Sequence, residues 1–302
     1  MRLILLLLLG LLPACESSPP PKFDGQAAFH YLEQQVAFGP RIPGSPGHRA
    51  EAAWLDSLLR QRADTLVVQS WTHVTARGDS LHLTNFLARF NPRAQKRLLF
   101  LAHWDTRPIS DNPSYQGNRN QPVPGANDGA SGVALLLELA DVYHRHPPRI
   151  GVDLLFDDGE DYGDFKDQSQ ADVLIGSRYY AAHLPPGPMP LFAVLFDMIG
   201  DKDLRILQEG NSLLGAPEVV DLVWQAARAA GHGNVFIATP GVTLTDDHVE
   251  LQKVGIRAID VVDFDYGPDN SYWHTPNDTI DKVSAASLQI VGDVATMLVQ
   301  RQ

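Results

Sequence analysis

The chain has 302 residues, 36 of them acidic and 24 basic, for a formal net charge of −12 with histidine neutral. That balance excludes a protein that coats nucleic acid, which needs basic surface to displace counterions, so no nucleic-acid partner is expected. Hydrophobic residues at 44% and charged residues at 20% describe a globular chain, and the single cysteine, Cys15, excludes an intramolecular disulfide and any cysteine-built zinc cluster.

In chain order, the first feature is an address. Arg2 precedes an apolar run over 3–12 that only Gly10 interrupts. The run is too short to span a bilayer as a helix and has the form of a signal-peptide core. It ends in Leu12-Pro13-Ala14-Cys15, which resembles the bacterial lipoprotein cleavage box, with Pro13 where a small residue is usual. The expectation is a lipoprotein signal peptide over 1–14, then a lipidated Cys15 and tether over 15–22, with ESSPPP stiff and polar. The lipid would anchor the exported chain to a membrane of the bacterial cell envelope.

The body alternates strand and helix. Amphipathic helices are predicted over 26–37 and 48–63, and paired strands over 67–75 and 81–90 around Arg77-Gly78-Asp79. Apolar strands follow at 97–102, 152–156, 191–196 and 258–262, with shorter ones at 204–208 and 235–238. Helices are predicted at 132–143, 177–183, 218–230, 247–254 and 284–299. Continuous apolar strands between helices imply a mostly parallel, mixed sheet covered on both faces. With no composition break, the body over 23–302 is expected to be one α/β/α sandwich.

Polar residues collect where the apolar strands end. The strand over 97–102 runs into His103-Trp104-Asp105, that over 152–156 into Asp157-Asp158-Gly159-Glu160-Asp161, and that over 191–196 into Asp197. The strand over 258–262 leads toward Tyr272-Trp273-His274, and Asn127-Asp128-Gly129 precedes the helix at 132. Open α/β sheets bind ligands at the carboxyl ends of their strands. Singly, Asp128 would be a helix cap, His103 or His274 a surface histidine, and Trp273 a core residue. Together they form a group of like charges for which the sequence offers no cationic partner cluster. A divalent metal would neutralise them, and carboxylate and imidazole without thiolate suit catalytic zinc.

HWD at 103–105, NDGASG at 127–132, DGED at 158–161, FDMIGD at 196–201 and WHTPNDT at 273–279 resemble the zinc aminopeptidase family M28 from about residue 97 onward. HWDTRP at 103–108, GEDYG at 159–163 and Thr245-Asp246-Asp247-His248 resemble its glutaminyl cyclase branch. The resemblance implies an M28-like catalytic domain over 23–302. Asp128, Asp161 and His274 would be ligands of one catalytic zinc, Glu160 the general acid/base, and Asp197 and Asp246 hydrogen-bonding carboxylates around the reacting group. Trp273 would flank the substrate pocket, and Asp247 would cap the following helix. The implied substrates are peptides or proteins with N-terminal glutamine, converted to pyroglutamate with loss of ammonia. The alternative is an M28 aminopeptidase with a second metal on His103 and Asp197, bridged by Asp128 and oriented through Asp105. Two positions depart from the pattern: Glu160-Asp161 stands where the animal enzymes usually have a Glu-Glu pair, and Phe165 stands nearest to where a tryptophan is expected.

Overall fold

The computed structural model describes residues 22–302 apart from residue 168. The signal run, Cys15 and the tether up to residue 21 lie outside the described residues. Among those described, no helix is long and apolar enough to cross a membrane.

Helices α1 (Gly25–Ala37) and α2 (Pro46–Arg62) come first. Asp24 accepts hydrogen bonds from the Gln26 and Ala27 amides, and Ser45 from that of His48. Pro46 opens α2 at a position where a missing N–H is harmless. Strands β1 (Thr65–Val74) and β2 (Ser80–Phe90) form the expected antiparallel hairpin. Gly78 turns it at φ +89°, which an L side chain rarely adopts. There follow β3 (Arg97–His103), α3 (Ala130–Arg145), β4 (Gly151–Asp157), α4 (Ile175–Ala182), β5 (Ala193–Asp197) and β6 (Ile206–Gln208). Next are α5 (Gly210–Gly215), α6 (Pro217–Ala229), β7 (Phe236–Pro240), α7 (Asp247–Lys253), β8 (Ala258–Val262) and α8 (Ala285–Gln300).

The main sheet has the order β1-β2-β4-β3-β5-β8. Strands β4, β3, β5 and β8 are parallel, while β2 pairs antiparallel with β1 and β4. Successive residues point to opposite faces, so each apolar strand feeds two cores. Leu98, Phe100 and Ala102 of β3, with Val194 and Phe196 of β5, share a core with α1, α3, α6 and α8. Leu99, Leu101 and Leu195 face the other way, onto Tyr180 of α4 and Leu251 of α7. This is the expected α/β/α sandwich, with a mostly parallel, mixed sheet. Strands β6 and β7 pair with each other as a separate small sheet. Helix α5 is a difference from the sequence reading: GNSLLG has no helical apolar period, and its start is fixed by Glu209, whose carboxylate accepts the Asn211 and Ser212 amides. For the site, the decisive result is register. His103 lies beside Asp157 and Asp197 beside Val262, so the parallel strands end on one edge.

Candidate metal centre and catalytic cleft

Each polar strand end is fixed by a tertiary contact. The segment before α3 is held from below by Asp278, whose two carboxylate oxygens accept the Asn127 amide at 2.8 Å and the Asp128 amide at 3.2 Å. Gly129 passes so close to β3 that a Cβ there would lie 2.4 Å from the His103 carbonyl oxygen. Arg41, fully buried, ion-pairs with Glu51 at 3.2 Å and donates to the Pro124 and Gly125 carbonyls, bracing the approach to Asp128. After β4, Asp105 accepts the Glu160 amide at 3.0 Å and the Asp161 amide at 3.2 Å. Asp105 thus sets the loop that carries both acids. It also lies 3.4 Å from His103 Nδ1.

The residues expected as ligands, acid/base, hydrogen-bonding carboxylates and pocket wall come together. Asp128, Glu160, Asp161, Asp197, Asp246, Trp273 and His274 line one cavity of about 290 Å³. His103 stands behind it, with Nε2 3.2 Å from Asp128 and 3.3 Å from Asp197. Asp128, Asp161 and His274 offer ligand atoms within 4.8 Å of one another, and so do His103, Asp128 and Asp197. The first group fits a divalent metal on two further counts. Asp161 Oδ2 is buried with no hydrogen-bond partner. His274 Nδ1 lies 3.0 Å from Asp111, so Nε2 is turned toward Asp128 at 3.6 Å and Asp161 at 3.4 Å. A carboxylate behind a ligating imidazole is the arrangement that fixes its tautomer. His274 has φ +52°, so its backbone is in the left-handed region. Its ring stacks on Trp273, with centroids 3.8 Å apart.

The electrostatics follow from burial and crowding. Glu160 is pushed well above the usual carboxyl range, first by burial and then by the charge of Asp161. Asp246 is raised by burial and Asp197, and Asp128 by burial and Asp161. Asp161 goes the other way: burial would raise it, but His274 and Arg107 outweigh that and hold it below its ordinary value. His274 is pushed up to about 9 against the effect of burial, by Asp161 and Asp111.

Two expectations are corrected here. The carboxylates do have a cationic partner: Arg107 is buried, reaches Asp161 Oδ1 at 2.6 Å, and grips both oxygens of Asp111 at 2.6 and 2.7 Å. Its loop folds back beneath the one after β4, a contact that linear spacing does not reveal. The acids lining the cavity still outnumber the cations, and the unpartnered Asp161 oxygen remains. Second, Asp246, not Asp247, is the N-cap of α7, accepting the Asp247 amide at 2.6 Å. Asp247 is the first helical residue and its carboxyl is buried against Ser177. Sequence reasoning gave no role to Asp111, Arg107, Asp278 or Arg41. Arg107 and Asp278 sit inside quoted motifs, which was the only signal. Phe165 does line the cavity, with Arg107 5.8 Å from its ring centroid.

A family model described as peptidase family M28 matches residues 85–299. A crystal structure of Bacteroides thetaiotaomicron glutaminyl cyclase bound to N-acetylhistamine is 34% identical, with a TM-score of 0.89 over 94% of this chain and 100% of that one. A structure described as a leucine aminopeptidase precursor from the same organism is equally similar, at 34% identity and a TM-score of 0.89 over 94% of this chain and 99% of that one. Aminopeptidase YwaD of Bacillus subtilis is 26% identical over 81% of this chain, which spans only 48% of that protein's length. Glutaminyl-peptide cyclotransferase of Drosophila melanogaster is 23% identical over 82% of this chain and 73% of that protein.

Proposed function

The chain belongs to peptidase family M28, and from that premise we propose that it is a zinc-dependent glutaminyl-peptide cyclotransferase, converting N-terminal glutamine to pyroglutamate with release of ammonia. The observation that carries this reading is that Asp246 opens on the same cavity as Glu160, Asp197 and the Asp128–Asp161–His274 group. The likeness to solved glutaminyl cyclases over nearly the whole chain supports it.

In this reading Asp128, Asp161 and His274 hold one zinc, which when bound supplies Lewis-acid polarisation of the substrate's γ-carbonyl. With one proton of the α-ammonium group lost to solvent, Glu160 takes another from the amine nitrogen as that nitrogen attacks the carbonyl carbon of the γ-carboxamide. It then returns the proton to the departing amide nitrogen, which leaves as ammonia. A carboxyl doing both jobs needs a pKa nearer neutrality than usual, the direction in which burial and Asp161 push Glu160. Asp197 and Asp246 hydrogen-bond the reacting amide. Trp273 walls the cavity, holding glutamine folded back on itself and keeping water out, which matters because nucleophile and electrophile are already in one residue.

The second reading is a zinc aminopeptidase. It is favoured by the second set of ligand-like residues, His103, Asp128 and Asp197, which would hold another metal. One experiment separates the two: zinc content, with cyclisation of glutamine peptides and hydrolysis of Leu-p-nitroanilide measured side by side. About one zinc per chain with ammonia release, abolished by chelation, is expected. Two metals at full activity with release of p-nitroaniline would replace the cyclase with the aminopeptidase.

We further propose that Cys15 is lipidated after removal of residues 1–14 and anchors the enzyme to the bacterial cell envelope, within reach of exported peptides. Cys15→Ser should release the protein from the membrane fraction; a variant that stays membrane-bound sinks this part.

A further inference from the structure

Beside the catalytic cavity lies a second hollow, of about 260 Å³. Its apolar walls are Leu207 of β6, Val242 just beyond β7, Val262 at the end of β8 and Phe264 just after it. The carboxyl ends of β6 and β7, from the small sheet, meet here with that of β8, from the main sheet. The two spaces are neighbours: Phe264 lines both, and Val242 adjoins Thr243, which lines the catalytic one. Phe264 also packs edge-on against Trp273, with centroids 4.9 Å apart. Trp273 and Phe264 thus make a continuous aromatic wall from the zinc-binding group to the hollow.

Cyclisation is complete within one residue, so the chemistry makes no use of this space. A peptide substrate, however, continues beyond its glutamine at about 3.3–3.6 Å per residue, so its next side chain lies within reach of a hollow that shares a wall with the catalytic cavity. Resting on the cyclase reading, we propose that the hollow is a subsite for the residue that follows the N-terminal glutamine and that it selects an apolar side chain there. Val242 is 47% exposed, an apolar surface that a substrate side chain would cover. The polar rim points the same way. Arg205 is exposed and faces Asp265 at 3.7 Å, while the Asp263 carboxylate accepts the Arg205 and Asp265 amides. An acidic substrate residue would therefore meet carboxylates with the one nearby cation already engaged.

The test uses the zinc-loaded protein and three substrates, Gln-Leu-amide, Gln-Gly-amide and Gln-Asp-amide. Apolar side chains in hydrophobic pockets give selectivities of about 10- to 200-fold, so kcat/KM for the leucine substrate should exceed that for glycine by about tenfold. The difference should lie mainly in KM, because the subsite grips ground and transition states alike. The aspartate substrate should fall below glycine. In Val242→Asp, folded by its thermal midpoint, the leucine advantage should shrink to about twofold or less. Cyclisation of all three substrates at equal kcat/KM overturns the subsite and leaves the cyclase reading standing. A leucine advantage unchanged in Val242→Asp does the same. If none of the three is cyclised, the cyclase reading falls and the subsite with it.

Discussion

His274 arrives at the cleft with its ring orientation already fixed. Asp111 sits 3.0 Å from Nδ1 and is itself clamped by Arg107, so the second nitrogen has little choice but to face Asp128 and Asp161. This makes Asp111 a positioning residue whose loss should be felt by the metal. Asp111→Ala should weaken zinc about 10- to 100-fold, the usual effect of deleting the partner behind a ligand. Competition against a chromogenic chelator measures it. Glu160→Gln should do the reverse, binding zinc normally while losing about 10² to 10⁴ in turnover, because the side chain keeps its shape and loses its basic oxygen. If Asp111→Ala binds zinc as tightly as the parent, the orienting contact carries no weight. Asp161 was legible because an apolar strand ends just before it, whereas Asp128 and His274, standing before a helix and well past a strand, were legible through the motifs NDGASG and WHTPNDT. Asp111 was not, because its partner is 163 residues away and its own loop has no period to betray it.

At the scale of elements, strands and long helices were legible because burial writes a period into the chain. Helix α3 is buried along nearly its whole length, and GVALLLELADVY is accordingly apolar apart from Glu138 and Asp141. What escaped was structure made by contacts between elements: α5, fixed by Glu209, and the residue that caps α7. Glu209 accepts the Leu244 amide at 2.8 Å as well as those of α5, so α5 pins the loop that delivers Asp246. Asp246 then has two tasks, as cap of α7 and as cavity carboxylate, and two substitutions separate them. Asparagine caps a helix about as well as aspartate. Asp246→Asn should therefore keep its thermal midpoint while losing at least about tenfold in kcat/KM, roughly 1.4 kcal/mol of transition-state stabilisation. Asp246→Ala should lose the cap as well, about 1 kcal/mol, and so melt about 2–4 °C lower for a domain of this size. If Asp246→Asn cyclises at the parental rate, the carboxylate serves only the helix and the aminopeptidase reading gains.

The molecule as a whole is built around carboxyl groups with too little water. Burial pushes Glu51 up to about 7, against the opposing pull of Arg41 and His48. It pushes Asp157 and Asp158 up to about 6, the latter against His48. His48 is itself raised: burial would lower it, but Asp158 at 2.9 Å outweighs that. Each of these groups holds a proton in the fold that it would release more readily in the unfolded chain. Between the unfolded carboxyl pKa, about 4, and pH about 7 the native state therefore binds more protons, and its stability falls as pH rises. At the acid end the sign reverses. Glu209 is lowered to about 2 by His248 and backbone amides despite burial, and Asp111 is lowered by Arg107 and His274, so both lose stabilising charge as pH falls. The metal-free protein should accordingly be most stable near pH 4–5 and melt at least about 5 °C lower at pH 8. The net charge of −12 gives the same trend through self-repulsion, but about 0.5 M salt screens repulsion between exposed charges and spares buried groups. The fall should therefore survive salt. Zinc should oppose it, because its ligands must be deprotonated to bind, and at about 100 times Kd binding adds about 2.7 kcal/mol. The gap between zinc-loaded and metal-free midpoints should thus widen from pH 5 to pH 8. A metal-free midpoint that rises over that interval in high salt would mean that these buried carboxyls are ionised in the fold and matched by partners, and that the cleft needs no metal to balance it.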